Sequence, residues 1–270
     1  MKILYKNNDL IEALLGVSNI GFVPTMGSLH DGHVSLIRQS LKYCKKTVVS
    51  IFINPTQFNN KNDYRKYPRN LKKDLKILKK LKINFVYIPT KKQIFNSKNP
   101  IRIRLSQKDK ILCAKYRKGH FEGVIDVMTR LTSKIKPSKI FMGEKDFQQL
   151  ILVKRFIEKN FKSKIILCKT IRNKNKLALS SRNLHLSKND LIVAEKISKS
   201  LIYFKKQILQ QPLNKKKILS KRNELVKKFH IDIEYFEVRN IHNLLISKKS
   251  NNSKIFIAYY LNKIRLIDNF

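Results

Sequence analysis

IGFVPTMGSLHDGH, residues 20–33, is the stretch on which the architecture turns. Ile20–Thr25 is an apolar run of strand length, and HVSLIRQSLKYCKK (33–46) brings apolar residues back at helical spacing. Between them lie Gly27 and Gly32, which permit unusual dihedrals and close backbone approach. A strand passing through such a turn into a helix is half of a parallel β-α-β unit.

The same alternation continues outward. TVVSIFIN (47–54) is a β-branched run of the kind buried on both faces of a parallel sheet. YPRNLKKDLKILKKL (67–81) is an amphipathic helix with Leu71, Leu75, Leu78 and Leu81 on one face. INFVYIP (83–89), KIFMG (139–143) and SKIILCKTI (163–171) read as strands; GVIDVMTRLTSKIK (123–136) and QLILVKRFIEKN (149–160) read as helices. The order then changes. Two helical stretches, 187–209 and 213–229, precede strand-like IDIEYFEVRN (231–240) and KIFIAYYLNKIRLIDNF (254–270), an α+β arrangement. The expectation is an α/β parallel-sheet domain over residues 1–170 and a smaller α+β domain over 171–270.

Composition narrows the function. No run approaches the roughly 18–20 apolar residues of a membrane span, and the N-terminal residues lack a secretory h-region. A cytoplasmic protein is expected, with no membrane partner. Cys44, Cys113 and Cys168 are odd in number, far apart and not at metal-ligand spacing, as reduced core thiols would be. The formal charge of +41 raises the question of nucleic acid. Lysines are spread over nearly every segment, as in KKDLKILKKLK and LNKKKILSKRNELVKK, with no basic tail and no RNA-binding signature. Abundant Lys, Asn and Ile with scarce Gly suggest compositional drift in an AT-rich genome, and no specific nucleic-acid partner. A positive field would still draw in anionic substrates.

Four clusters carry chemistry. Met26, Gly27, Ser28, Leu29, His30, Asp31, Gly32 and His33 sit where a sheet's carboxyl edge meets a helix N-terminus, which suits phosphate. Two imidazoles one turn apart can donate to a polyphosphate; the spacing by itself also allows a metal pair or two surface histidines. In SIFINPTQF (50–58), Asn54–Pro55 ends the strand and Gln57 follows, either facing water or offering both a donor and an acceptor to a ligand. Gly143, Glu144, Lys145 and Asp146 again follow a strand: a charged helix cap, or a cation for phosphate beside a hard oxygen ligand, with Gln149 one turn on. Leu179, Ser180, Ser181 and Arg182 supply hydroxyls and a guanidinium, as a Ser-rich cap or as phosphate donors.

Taken together, PTMGSLHDGH, SIFINPTQF with Tyr67-Pro68-Arg69, IFMGEKDFQQL, LALSSRN and the closing RLIDN resemble the pantothenate synthetase family, within the H-x-G-H nucleotidylyltransferases. The resemblance implies a Rossmann-like first domain and a second domain acting as a lid. It implies a ligase that joins pantoate to β-alanine through a pantoyl adenylate, with ATP as substrate and Mg²⁺ as cofactor. ATP contacts are implied for Met26–His33, Gly143–Asp146, Ile171 and Leu179–Arg182. Pantoate contacts are implied for Gln57 and Gln149, and β-alanine contact for Gln57. Asp146 is implied as metal ligand, His33 as proton donor, and His30, Lys145, Ser180, Ser181 and Arg182 as further catalytic groups. A homodimer is also implied. The chain departs from the family pattern at Asn175-Lys176, where Asp-Gly is usual, at Lys118 for Pro, and at Ala114 for Gly. A nucleotidylyltransferase with a phosphate acceptor, or a basic binding protein on an idle enzyme scaffold, are the competing readings; SIFINPTQF and the second Gln of DFQQL disfavour the first, and the intact motifs disfavour the second.

Overall fold

A computed structural model describes residues 1–95, 103–209 and 213–270. The chain forms two compact units, Met1–Lys169 and Thr170–Phe270.

The first unit runs β1 (Lys2–Leu4), α1 (Asn7–Leu14), β2 (Ile20–Thr25), α2 (Asp31–Tyr43), β3 (Lys46–Ile51), α3 (Lys61–Lys66), α4 (Leu71–Lys80), β4 (Phe85–Tyr87), α5 (Lys91–Phe95), α6 (Leu112–Tyr116), α7 (His120–Ile135), β5 (Lys139–Gly143), α8 (Phe147–Asn160) and β6 (Lys164–Cys168). Its six strands pair in parallel in the order β1-β4-β3-β2-β5-β6. The chain winds from β2 toward β3 and β4, then returns to the other side of β2 with β5. The switch point of the sheet therefore lies between β2 and β5, where open α/β sheets bind ligands. β2 and β5 pair only at Gly21–Lys139 and Phe22–Ile140. Pro24, which lacks an N–H, lies beyond the last of these pairs, so this central strand tolerates it.

β3 is buried from Thr47 to Ile51, as expected of a strand covered on both faces. Val23, Val49, Val86 and Phe141 from the sheet pack with Leu36 and Ile37 of α2 and Leu78 of α4. Of the α4 stripe read from the sequence, Leu75, Leu78 and Leu81 face the core and Leu71 does not. Asn70 caps the helix by accepting from Lys73 N, so Leu71 sits at its solvated first position and is 39% exposed. The fully buried face instead carries Asp74 and Leu78, four residues apart. The strand read over 47–54 ends at Ile51, and a 3₁₀ turn, Pro55–Gln57, takes over.

The second unit holds α9 (Lys188–Leu209), α10 (Lys215–Phe229) and an antiparallel sheet of β7 (Asp232–Asn240), β8 (Ser253–Leu261) and β9 (Ile264–Asn269), in that order. Ala194, Ile197, Leu201 and Phe204 of α9 pack on Val238, Ile255 and Ile257. Asn262 and Lys263, both at positive φ, make the two-residue β8–β9 turn that matches strand twist. Among the described residues, no helix is long and apolar enough to cross a membrane.

Candidate active site

The H-x-G-H segment closes on itself. His30 is the N-cap of α2, and its Nδ1 accepts from Gly32 N at 3.1 Å. His33 Nδ1 accepts from His30 N at 3.3 Å. A backbone N–H can only donate, so both Nδ1 atoms are unprotonated and each neutral ring carries its proton on Nε2. The rings lie 4.1 Å apart, centroid to centroid. Burial, reinforced by the Lys145 charge, lowers the His30 pKa to about 4. Burial, then His30, lowers that of His33 to about 3.

Two backbone donors at the start of α2, His30 N and Gly32 N, are engaged within the segment itself. They bind the two imidazoles, which pass the positive end of the helix on to their Nε2–H groups. In this arrangement His33 is neutral, with its proton on Nε2.

The turn before it is held from a distance. Gly27 (φ 77°) and Ser28 (φ 52°) are both left-handed. Asp74 Oδ2 accepts from Ser28 N at 2.9 Å and Oδ1 from Leu29 N at 2.8 Å. A Cβ at Gly27 would meet Asp74 Oδ2 at 3.0 Å and Ile51 at 3.2 Å, so glycine is required there for space as well as dihedral. Gly27 N donates to Thr25 Oγ1, whose hydroxyl donates to Ser50 O of the neighbouring strand. Asp74 was missed in the sequence because the α4 pattern was read for its leucines. A lone acid on the apolar side of a lysine-rich helix was the available signal.

The other first-unit clusters arrive beside this one. β3 and β5 flank β2, so Gln57 and Gly143–Asp146 leave the same edge of the sheet. Gln57 Nε2 lies 2.9 Å from Met26 Sδ and its Oε1 accepts from Asn54 Nδ2 at 3.2 Å. Asn54 is buried and also donates to Gly123 O; it is a further positioning side chain the sequence reading passed over. Glu144–Asp146 form a 3₁₀ turn ahead of α8, and Lys145 Nζ is 3.3 Å from Asp146 Oδ1. Lys145 and Asp146 both act electrostatically on the two histidines, which sets the two clusters side by side. Gln149 is half-buried in the first turn of α8, while its neighbour Gln148 is buried and ties down Asp109 O and Ile111 O.

Ile171 and Leu179–Arg182 belong to the second unit. Ile171 O accepts from Leu179 N, and Ser180 caps the 3₁₀ turn Ser181–His185 by accepting from Arg182 N. The turn between them survives without Asp-Gly. Lys176 takes the left-handed position (φ 73°), Asn173 Oδ1 accepts from Asn175 N and Leu177 N, and Glu195 receives both the Asn173 and the Asn175 amides. Arg172 anchors the base of the turn by a two-pronged bond to Asp268 at 2.7 and 2.9 Å. The Lys118 departure is also accommodated: Asn59 Nδ2 donates to Lys118 O at 2.5 Å.

Cys113 and Cys168 are buried and Cys44 is half-buried, all as free thiols. Burial pushes Cys168 up to about 11 and raises Cys44, so neither is an activated nucleophile.

Comparison with known proteins agrees with this arrangement. The profile of the family described as pantoate-beta-alanine ligase matches residues 4–270. A pantothenate synthetase of Francisella philomiragia is 38% identical over 265 residues, covering 97% of this chain and 93% of the relative. The pantothenate synthetase of Thermus thermophilus superposes with a TM-score of 0.93 at 28% identity, covering 100% of this chain and 99% of that one. The Francisella tularensis pantoate-beta-alanine ligase, solved with beta-gamma ATP and beta-alanine, gives a TM-score of 0.83 at 36% identity, covering 100% and 97%. On the strength of the profile and of relatives at this identity and coverage, the chain belongs to the pantoate-beta-alanine ligase family.

Proposed function

We propose that this enzyme makes pantothenate in two steps on one site, with ATP as the activating substrate and a pantoyl adenylate between the steps. The observation that carries the reading is the imidazole pair. Both Nδ1 atoms are consumed by backbone N–H groups, which commits both Nε2–H donors to a ligand bearing negative charge, beside Lys145.

In the first step a pantoate carboxylate oxygen bonds to the α-phosphorus as the bond to pyrophosphate breaks. Charge grows on the phosphate oxygens, where His30, His33 and Lys145 stabilise it. Ser180, Ser181 and Arg182 are assigned to the same phosphates, and Met26–Leu29, Asp31, Gly32, Gly143, Glu144, Ile171 and Leu179 to the rest of the nucleotide. Gln57 and Gln149 hold pantoate so that its carboxylate meets phosphorus in line. In the second step the uncharged amine of β-alanine, oriented at Gln57, attacks the acyl carbon. The bond to AMP breaks and the amine gives up a proton.

The donor set fits Mg²⁺ arriving on the nucleotide. The Asp146 carboxylate is 46% exposed and Lys145 is its neighbour. Magnesium commonly takes one or two carboxylates and fills its remaining positions with phosphate and water. Bound there, the ion would neutralise phosphate charge. The family resemblance also supports a cytoplasmic homodimer, which sedimentation can check.

The test is release of AMP and pyrophosphate from Mg·ATP with pantoate and β-alanine added singly and together. AMP in step with pantothenate, only when both acids are present, is the expected result. His33→Ala should lower turnover by about tenfold or more. Wild-type turnover in that variant would remove the histidine from the mechanism.

A further inference from the structure

The segment Arg117-Lys118-Gly119-His120 stands outside the chemistry assigned above, yet its side chains converge on one atom of the site. His120 is buried, and its Nδ1 lies 2.6 Å from Gln57 O. A carbonyl only accepts, so Nδ1 carries the proton. Nε2 is then an acceptor, and Arg117 Nη1 donates to it at 2.9 Å. The same guanidinium donates through Nη2 to Gln57 O at 3.2 Å. Both lone pairs of a single carbonyl are thus taken by two side chains that are bonded to each other.

That carbonyl belongs to the last residue of the 3₁₀ turn Pro55–Gln57, so fixing it fixes the peptide plane that follows the Gln57 side chain. The first turn of α7 backs the same turn closely: a Cβ at Gly123 would lie 2.5 Å from Thr56 O. Asn54 joins the two from the other side, donating to Gly123 O at 3.0 Å and to Gln57 Oε1 at 3.2 Å. The Gln57 main chain is therefore held by Arg117 and His120, and its side-chain amide by Asn54, which is itself tied to α7.

We propose that Arg117 and His120 are a positioning pair for Gln57: they hold its main chain so that its amide meets the carboxylic-acid substrate, and they touch no substrate themselves. The proposal rests on Gln57 being the acid-binding residue. It predicts a change confined to the acid substrate, because the nucleotide-binding histidines are held by α2 and Asp74 instead.

The experiment is steady-state kinetics on the full chain with His120→Phe, which keeps a ring against Phe121 and removes both hydrogen bonds. The expected result is a KM for pantoate raised about tenfold and a KM for ATP within about twofold, with a thermal midpoint lowered by roughly a few degrees for the lost buried hydrogen bonds. His120→Asn, whose amide can replace the Nδ1–H donor, should recover most of the loss. In a Gln57→Ala background, His120→Phe should add nothing further. Equal rises in both KM values, or a full extra loss on Gln57→Ala, overturn the proposal. If His120→Phe does not fold, Arg117→Gln is measured the same way and decides. If Gln57→Ala raises the pantoate KM but neither variant does, positioning fails and the acid-binding reading stands. An unchanged pantoate KM in Gln57→Ala itself removes the reading and the proposal together.

Discussion

Replacing Asp74 by Asn tests whether the Gly27–Leu29 turn is held by a carboxylate on another element. Asp74 is 2% exposed, and each of its oxygens accepts one backbone N–H, from Ser28 and from Leu29. Asparagine keeps one acceptor and turns an NH₂ toward the other N–H. One charge-assisted bond is lost and two donors are left facing each other, a cost of about 1.5–3 kcal/mol. Leu29 is buried, so water cannot easily replace the bond. For a unit of this size each kcal/mol is worth roughly 2–4 °C, so the midpoint should fall by about 3–12 °C. Asp74→Ala leaves both N–H groups unpaired and should cost about 2–6 kcal/mol. The functional effect follows from Gly27 and Ser28, whose left-handed dihedrals the carboxylate stabilises just before His30. A displaced imidazole pair should lower turnover by about tenfold or more. Urea and thermal unfolding, run beside initial rates of pyrophosphate release, measure both. An Asp74→Asn variant with wild-type midpoint and wild-type kinetics toward ATP would refute the reasoning.

Two further outcomes follow from local geometry. His30 and His33 have pKa values lowered to about 4 and about 3, against 6.5 when unfolded. The unfolded chain therefore binds more protons between pH 6.5 and pH 4. The stability they contribute is complete above the unfolded value and falls on acidification, by about 1.4 kcal/mol per pH unit for each histidine. Urea midpoints across this range should be less steep in His33→Asn by one proton; an identical slope would mean that His33 is not held neutral by the fold. Lys176 is exposed and left-handed, so Lys176→Gly should raise stability by about 0.5–1 kcal/mol, and a lowered thermal midpoint would contradict that.

Much of the fold was legible because its signals are local. Thr47–Ile51 could be read as a buried parallel strand from β-branching alone, and Asp31–Tyr43 as a helix from spacing. The clustering of the H-x-G-H and G-E-K-D segments was legible too, since both follow strands and ligands collect at strand carboxyl ends. What escaped was non-local. Asp74 acts 45 and 46 residues away from its partners, and no periodicity in α4 announces that its apolar side holds an acceptor. Nor does the string H-D-G-H say that its imidazoles will cap their own helix. That follows only once the His30 side chain is seen to fold back on Gly32 N. Lys176 misled for a different reason. A missing Asp-Gly signals a lost turn if dihedral preference decides, but Asn173 and Glu195 supply enough hydrogen bonds to impose a left-handed lysine.

The charge imbalance makes one further point about how such a chain holds together. With 59 basic and 18 acidic residues, cations are available almost everywhere along the chain, so Coulomb attraction by itself cannot select where an acid is needed. Hydrogen-bond geometry can. Asp74 serves two backbone N–H groups, Glu195 two amides, Asp268 the fork of Arg172, and Glu234 both Arg265 and Tyr260. Asp190 accepts from Ser187 and from Asn262, joining the start of α9 to the β8–β9 turn. Each of these positions needs an acceptor with two oxygens, which lysine cannot supply at any field strength. Removing one leaves donors buried, whereas removing a solvated lysine changes a screened long-range interaction worth little at physiological salt. In a chain this basic, these acids mark structural joints, and the one at position 74 is the joint on which the Gly27–Leu29 turn depends.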